Sequence, residues 1–290
     1  LERYIFEQIQ RIHSCQDIQF GFDRLYSYAA SRRFLFYMDP HRTRRIAINK
    51  LAHSKVMEDF VKMRHRSHPM NSDPNTVEVG NTGYGSDATS VKEDVATKYS
   101  DNWFHGAHAE KVYNTYLELD MDANGTLSED ELYHFSGLNP ADSLRLTRVA
   151  IRRLLEETVT YMPVEMDFKG FLDLVLALEN KPAVQSITYF WNIVNVDKSG
   201  RLSSHNILYF YKEIYSSLKE HGCDAPEPAS VVVEIFDILS CQNPDGPTLN
   251  EVIKSGQGHM IMSMLLDVTG FWQYDNRENL IAQQQAATTQ

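Results

Sequence analysis

Cysteine is scarce: 3 in 290 residues. Cys15, Cys223 and Cys241 are odd in number and too scattered to read as a disulfide framework or a zinc site, so an intracellular, reducing compartment is expected. Basic charge is also short. The 28 Lys and Arg against 39 Asp and Glu leave a formal net charge of −11, which repels phosphate backbones and anionic headgroups over most of the surface. Long apolar runs are missing too. Met260 to Leu266 is interrupted by Ser263 and closed by Asp267, and Phe171 to Leu178 is broken by Asp173, far below a membrane span. Neither nucleic acid nor a membrane is expected as a partner. No nucleophile motif, phosphate-cradling glycine loop or catalytic zinc signature occurs, so the chain is not expected to be an enzyme. It opens on Leu1-Glu2-Arg3 rather than Met and shows no signal segment, and is read as a piece of a longer protein.

What is present is a helical period. Phe22, Leu25, Tyr26, Ala29, Phe34, Leu35 and Met38 return every three or four residues, and a second helix should carry Leu51, Val56, Phe60 and Val61 toward a core. Residues 65–101 are polar and rich in Gly, Ser, Thr, Asn and Asp, which reads as a flexible insertion. From Asn102 the helical pattern resumes. It is broken at Gly137 to Pro140, Tyr161 to Pro163, Asn180 to Pro182, Cys223 to Pro228 and Asn243 to Pro247. The expectation is an all-α chain, with short strands only at Gly125 to Ser128, Val164 to Asp167, Gly200 to Ser203 and Pro247 to Asn250.

One stretch carries chemistry. Asp120-Met-Asp-Ala-Asn-Gly-Thr-Leu-Ser-Glu-Asp-Glu131 offers carboxylates from Asp120 and Asp122, the amide oxygen of Asn124, the backbone carbonyl of Thr126, Ser128 directly or through water, and a bidentate Glu131. Six to eight oxygens at this spacing are what a hard cation such as Ca2+ takes in the twelve-residue loop of an EF-hand. Gly125 supplies the positive φ of the turn. Leu127 should pair its backbone with a neighbouring loop, while Val112, Tyr116 and Leu119 before the loop, and Leu132 and Phe135 after it, form the apolar stripe of the flanking helices.

A second loop, Asn195-Val-Asp-Lys-Ser-Gly-Arg-Leu-Ser-Ser-His-Asn206, has the same frame between Ile187, Phe190, Trp191, Val194 and Ile207, Phe210, Tyr211. Its ligand set would be Asn195, Asp197, Ser199, Arg201, Ser203 and Asn206. Lys198 and Arg201 offset the one carboxylate and Asn206 stands in the bidentate position, so this is a weak second metal site at most and an EF-hand kept for its shape is the favoured reading. Asp39 to Lys50 keeps Asp39 and a core Ile46, but Arg44 and Lys50 replace the glycine and the glutamate. Met166 and Leu249 read as the eighth residues of two further degenerate loops, the partners of Leu127 and Leu202. The organisation expected is N-terminal helices over 1–64, the insertion over 65–101, a first EF-hand pair over 102–181, and a degenerate second pair with C-terminal helices over 182–290.

The pairs His65/His68 and His105/His108 lack the Glu of a helical zinc protease and read as solvated histidines. Met260, Met262 and Met264 do not share a helical face, so core or interface packing is preferred over a peptide groove.

Arg33-Phe-Leu-Phe-Tyr-Met-Asp-Pro-His-Arg-Thr, Asn102-Trp-Phe through the Asp120 loop, Glu165-Met-Asp-Phe to Leu176-Ala-Leu-Glu-Asn180, and Gly270-Phe-Trp-Gln-Tyr-Asp-Asn-Arg-Glu-Asn279 resemble the B'' regulatory subunits of protein phosphatase 2A, most of all the gamma type. The likeness runs from about Arg24 to Ile281 apart from the insertion. It implies a non-catalytic subunit that joins a scaffold subunit and a catalytic serine/threonine phosphatase subunit, tuned by calcium, and that directs phosphoprotein substrate choice or location in the cytoplasm, in the nucleus, or at the centrosome or cortical cytoskeleton. Two other classes fit an EF-hand chain: a stand-alone calcium sensor that grips amphipathic helices, and a cytoskeletal or centrosomal scaffold that holds calcium permanently.

Overall fold

The computed structural model describes residues 1–9, 12, 22–39, 43, 45–63, 102–139, 143–158 and 164–288. The 65–101 stretch, His65 and His68, Cys15 and the break at Tyr161 to Pro163 lie outside the described residues. Every element described is helical, as the period requires, and no described helix is long and apolar enough to cross a membrane. The chain forms two compact units, Leu1–Tyr113 and Asn114–Gln290. The 182–290 segment and residues 114–181 of the first hand pair fall within the second unit, while residues 102–113 fall within the first.

The first unit holds α1 (Glu2–Gln8), α2 (Phe22–Met38), α3 (Ile48–Ala52) and α4 (Lys55–Lys62). Helix α2 buries Tyr26, Ala29, Ala30 and Phe34 on one stripe. Phe34, Phe60 and Phe104 meet with ring centroids 5.2 to 5.7 Å apart, the separation at which aromatic edges and faces attract. Tyr26 donates its buried hydroxyl to the Phe104 carbonyl at 2.6 Å. The helix expected to carry Leu51, Val56, Phe60 and Val61 inward is in fact two, split at Ser54, whose hydroxyl caps Met57 N–H. Val56 and Phe60 are buried, but Leu51 is half-buried and Val61 is 47% exposed. A residue next to Phe60 points about 100° away from it, outside a narrow buried stripe. Asp39 Oδ1 accepts from the backbone N–H and hydroxyl of Thr43 at 2.9 and 2.8 Å, and Ile46 is only half-buried rather than core. Pro40, His41, Arg42 and Arg44 of that loop are outside the described residues.

Helix α5 (Gly106–Leu119) contains the boundary between the units and buries Val112, Tyr116 and Leu119. The second unit continues with α6 (Glu129–Tyr133), α7 (Arg148–Thr158), α8 (Phe168–Glu179), α9 (Val184–Val194), α10 (Ser204–Glu220), α11 (Pro228–Ile238), α12 (Leu249–Lys254), α13 (Gly258–Leu266), α14 (Val268–Asp275) and α15 (Arg277–Thr288). Its core includes Leu127, Leu132, Met166, Phe171, Leu202, Phe210, Ile261 and Leu265. Met262 and Met264 are buried in α13, as core packing requires, while Met260 is half-buried. The helical run expected after Pro247 is interrupted at Gly256, with φ of 72°, and at Asp267, which caps α14.

The four short strands reduce to single bridges. Leu127 and Met166 exchange both backbone hydrogen bonds at 2.8 Å, as expected. In the second pair the register differs: Leu202 N–H donates to the carbonyl of Pro247 at 2.8 Å, and Arg201 bridges Thr248. Leu249, expected opposite Leu202, is instead the first residue of α12. The reason is the capping box of Thr248 and Glu251, which starts the helix one residue after the threonine. A third bridge, Leu146 to Asp267, ties the start of α7 to the start of α14.

Candidate metal centre

Helix α5 ends at Leu119 and delivers Asp120 into the loop, where its carboxylate collects the orphan N–H groups of a tight turn. Oδ1 accepts from Asn124 N–H and Oδ2 from Gly125 N–H, both at 3.0 Å. Asp122 Oδ1 also accepts from Asn124 N–H, at 3.1 Å, and Asn124 Oδ1 accepts from Thr126 N–H at 2.7 Å. Gly125 sits at φ 84° and Ala123 at φ 56°. Nothing lies within 4 Å of where a Cβ on Gly125 would stand, so the glycine is there for its backbone angle rather than for space.

Glu131 closes the loop from the first turn of α6. It is 4% exposed and held by a capping box: Ser128 N–H and Oγ both donate to Oε2 at 2.8 Å, while Glu131 N–H returns a bond to Ser128 Oγ at 3.3 Å. Met121 N–H donates to Oε1 at 2.9 Å. Burial pushes the Glu131 carboxyl up, but donors from Ser128, Met121 and Asp122 outweigh it and hold it below the usual carboxylate range. Carboxylate oxygens of Asp120, Asp122 and Glu131 lie within 4.8 Å of one another. Three carboxylates, the amide oxygen of Asn124, the backbone carbonyl of Thr126 and the Ser128 hydroxyl form an all-oxygen donor set of the size and hardness that suits Ca2+.

Two contributors escape a linear reading. Tyr116 donates its hydroxyl to the Gly125 carbonyl at 2.7 Å, pinning the loop to α5. Glu165, from the paired loop, accepts from Thr126 Oγ1 at 2.5 Å and from Asn124 Nδ2 at 3.3 Å. Neither is a ligand type at a ligand position, so only the fold reveals them.

The second loop has the same backbone frame, with Lys198 at φ 54° and Gly200 at φ 75°. The side chains of Asn195, Asp197, Ser199, Ser203 and Asn206 turn into the loop, where they bond one another and the loop backbone. Buried Asn206 donates Nδ2–H to Asp197 Oδ1 at 3.2 Å and to the Arg201 carbonyl at 3.0 Å, two of the oxygens a cation would use. Ser203 Oγ donates to Asp197 Oδ2 at 3.1 Å, and Asn195 Oδ1 accepts from Gly200 N–H at 3.3 Å. Ser199 N–H, first among several donors, brings Asp197 down to about 2. The two cations turn outward: Lys198 Nζ pairs with Glu157 Oε1 at 2.6 Å and Arg201 Nη1 donates to the Gly246 carbonyl at 2.7 Å.

His105 and His108 are half-buried, not solvated. His105 Nδ1 accepts from Ala107 N–H at 3.2 Å and the His108 ring lies 5.1 Å from Trp103, so both belong to the start of α5. Burial, and next His108, hold the His105 imidazole below its ordinary range.

Fold and loop define an EF-hand-type helical protein. No family model matches the chain. Curated relatives do. The chain is 32% identical, over 97% of its length, to the gamma-type B'' regulatory subunit of protein phosphatase 2A from Xenopus tropicalis, of which it covers 56%. It is likewise 32% identical over 97% of its length to that of Homo sapiens, of which it covers 55%. It is 30% identical over 97% of its length to TON2 of Arabidopsis thaliana, a probable B'' regulatory subunit of the same phosphatase, of which it covers 54%. A chain of a solved PP2A PR70 holoenzyme, designated diCa, superposes with a TM-score of 0.69 at 15% identity, covering 92% of this chain and 88% of that one. The chain is therefore homologous to the B'' regulatory subunits of protein phosphatase 2A, and it spans about half the length of the curated relatives it matches. Those relatives are named as regulatory, not catalytic, subunits.

Proposed function

We propose that this chain is the EF-hand portion of a non-catalytic, B''-type regulatory subunit. It binds Ca2+ through Asp120, Asp122, Asn124, Thr126, Ser128 and Glu131, associates with phosphatase scaffold and catalytic subunits, and helps direct the holoenzyme to phosphoprotein substrates inside the cell. Homology over 97% of the chain carries the reading, and the oxygen donor set of the Asp120 loop supports its calcium part. A cation held there by Asp120, Asp122 and Glu131 would supply the positive charge that offsets their clustered carboxylates. The chain's own groups do the rest: Ser128 and Met121 hold Glu131 in place, and Tyr116 anchors the turn. The second loop, whose oxygens are occupied by the Asn206 amide, keeps its shape without a metal.

The test is calorimetric calcium titration of this chain and of Glu131→Ala, followed by capture of the phosphatase scaffold with and without calcium, by this chain and by the full-length protein. One site of roughly micromolar affinity that vanishes in the variant, together with calcium-dependent scaffold capture, is the expected result. Calcium binding with no capture by either protein overturns the regulatory-subunit reading in favour of a stand-alone sensor.

A further inference from the structure

Glu165 lies outside the twelve-residue loop, yet its carboxylate reaches into it. The residue directly precedes Met166, whose N–H and C=O are both bonded to Leu127 at 2.8 Å. That two-bond pairing fixes the register, and with it the side of the paired loop from which Glu165 projects. The half-buried carboxylate then meets two groups of the first loop through one oxygen: Asn124 Nδ2 and Thr126 Oγ1 both donate to Oε2.

The Asn124 contact bears on cation binding. An asparagine ligates through Oδ1 only, and its two amide orientations are nearly equal in shape. Asn124 Nδ2 donates to Asp122 Oδ2 at 3.1 Å and to Glu165 Oε2 at 3.3 Å, while Oδ1 faces the turn, accepting from Thr126 N–H and Oγ1 at 2.7 and 2.8 Å. A carboxylate on the Nδ2 side attracts the amide hydrogens and repels the amide oxygen. Together with Asp122 Oδ2 and the two Thr126 donors it favours the orientation in which Oδ1 is the inner atom, and it adds a negative charge beside the centre without occupying a ligand position.

The second pair supplies an internal comparison. There the residue that precedes the carbonyl partner of Leu202 is Gly246, which has no side chain, and its own carbonyl accepts from Arg201 Nη1. The place that carries a carboxylate beside the acidic loop carries none beside the loop that is satisfied internally.

We propose that Glu165 is a positioning residue of the calcium centre: the degenerate paired hand, which lacks a ligand set of its own, contributes a carboxylate that orients Asn124 and raises the affinity of the neighbouring loop. This rests on the calcium reading of the Asp120 loop. It makes the pair, rather than one loop, the unit that sets affinity.

The test is calcium calorimetry on the whole chain at low and high KCl, with Glu131→Ala as the reference for the site itself. Glu165→Gln, which loses the charge but keeps an acceptor, is expected to weaken binding ~5-fold at low salt and less at high salt, because a neighbouring charge that is only half-buried is still screened. Glu165→Ala, which also loses the acceptor, weakens it further. In an Asn124→Asp background, with no amide left to orient, the Gln and Ala variants fall together. Thermal unfolding of the calcium-free variants stays close to that of the parent chain. A parent chain that binds calcium with Glu165→Gln equal to it at both salts overturns the proposal, as does a loss that salt leaves unchanged, the signature of a merely structural role. No Glu131-dependent binding in the parent chain overturns the calcium reading itself, and this proposal with it.

Discussion

Leu202 donates its backbone N–H to the carbonyl of Pro247 at 2.8 Å, and Pro247 has no N–H to return. The equivalent pair, Leu127 and Met166, exchanges two such bonds. The missing bond is replaced by close approach: a Cβ on Gly246 would collide with the Leu202 carbonyl, 2.7 Å from its carbon, and Gly246 is at φ 95°.

Gly246→Ala is therefore expected to be far worse than Gly125→Ala. Both positions have positive φ, which costs alanine about 1 kcal/mol. Gly125 has open space and should lose little more than that, whereas Gly246→Ala must also push the Leu202 backbone away, for a total of about 3 kcal/mol or more. Urea unfolding of the calcium-free variants measures the gap, and equal losses would contradict the role given to the close approach.

The Asn206 amide predicts a gain of function. Asn206→Glu alone removes two internal donors and buries a charge, and should destabilise the metal-free chain by about 2 kcal/mol. Combined with Asn195→Asp it restores two carboxylates to a loop whose Lys198 and Gly200 already have the required angles, and a second calcium site should appear in calorimetry. A double variant that stays at one site means that Lys198 and Arg201 still repel the cation.

Glu131 has two roles that one substitution separates. Glu131→Ala breaks the capping box with Ser128, so about 1 kcal/mol of stability should be lost even without metal. Calcium affinity should fall by roughly 100-fold or more with the bidentate carboxylate gone. Thermal unfolding in chelator and in excess calcium reads the two effects apart.

Asp267 gives a pH dependence. Burial lifts its carboxyl above the ordinary range, despite N–H donors from Arg145, Gly270 and Thr269 and the nearby Lys181. With the folded pKa raised, the unfolded chain loses this proton first, from about pH 4 upward. Across that window the folded state binds more protons, so this group's contribution to stability falls as pH rises. Asp267→Asn keeps an oxygen for the Arg145 and Thr269 N–H groups but cannot ionise. Its stability relative to the parent chain should climb from pH 4 toward neutrality, and a flat difference would show that the carboxyl is not perturbed.

Much of this was legible in the sequence for local reasons. The helices follow from a 3.6-residue period, and the six candidate ligands of the Asp120 loop follow from residue types fixed by cation chemistry within twelve positions. What depends on pairing across the chain was not. Glu165 meets Asn124 only once Met166 is set against Leu127, and Glu213 takes the first N–H groups of α7 at 2.8 Å from 64 and 65 residues away. The register of the last loop falls wrongly on Leu249 when an apolar residue is expected at the pairing position. The Thr248 to Glu251 capping box, the same spacing as Ser128 to Glu131, is the signal that places it on Pro247.

The Asn206 amide, folded back onto Asp197 and Arg201, also bears on how a calcium signal would be read. Steep responses need at least two coupled sites. A chain in which one loop takes the cation and its neighbour has its own hydrogens in that place responds gradually, its occupancy spread over about two decades of free calcium. Any sharper threshold would have to come from outside these two loops.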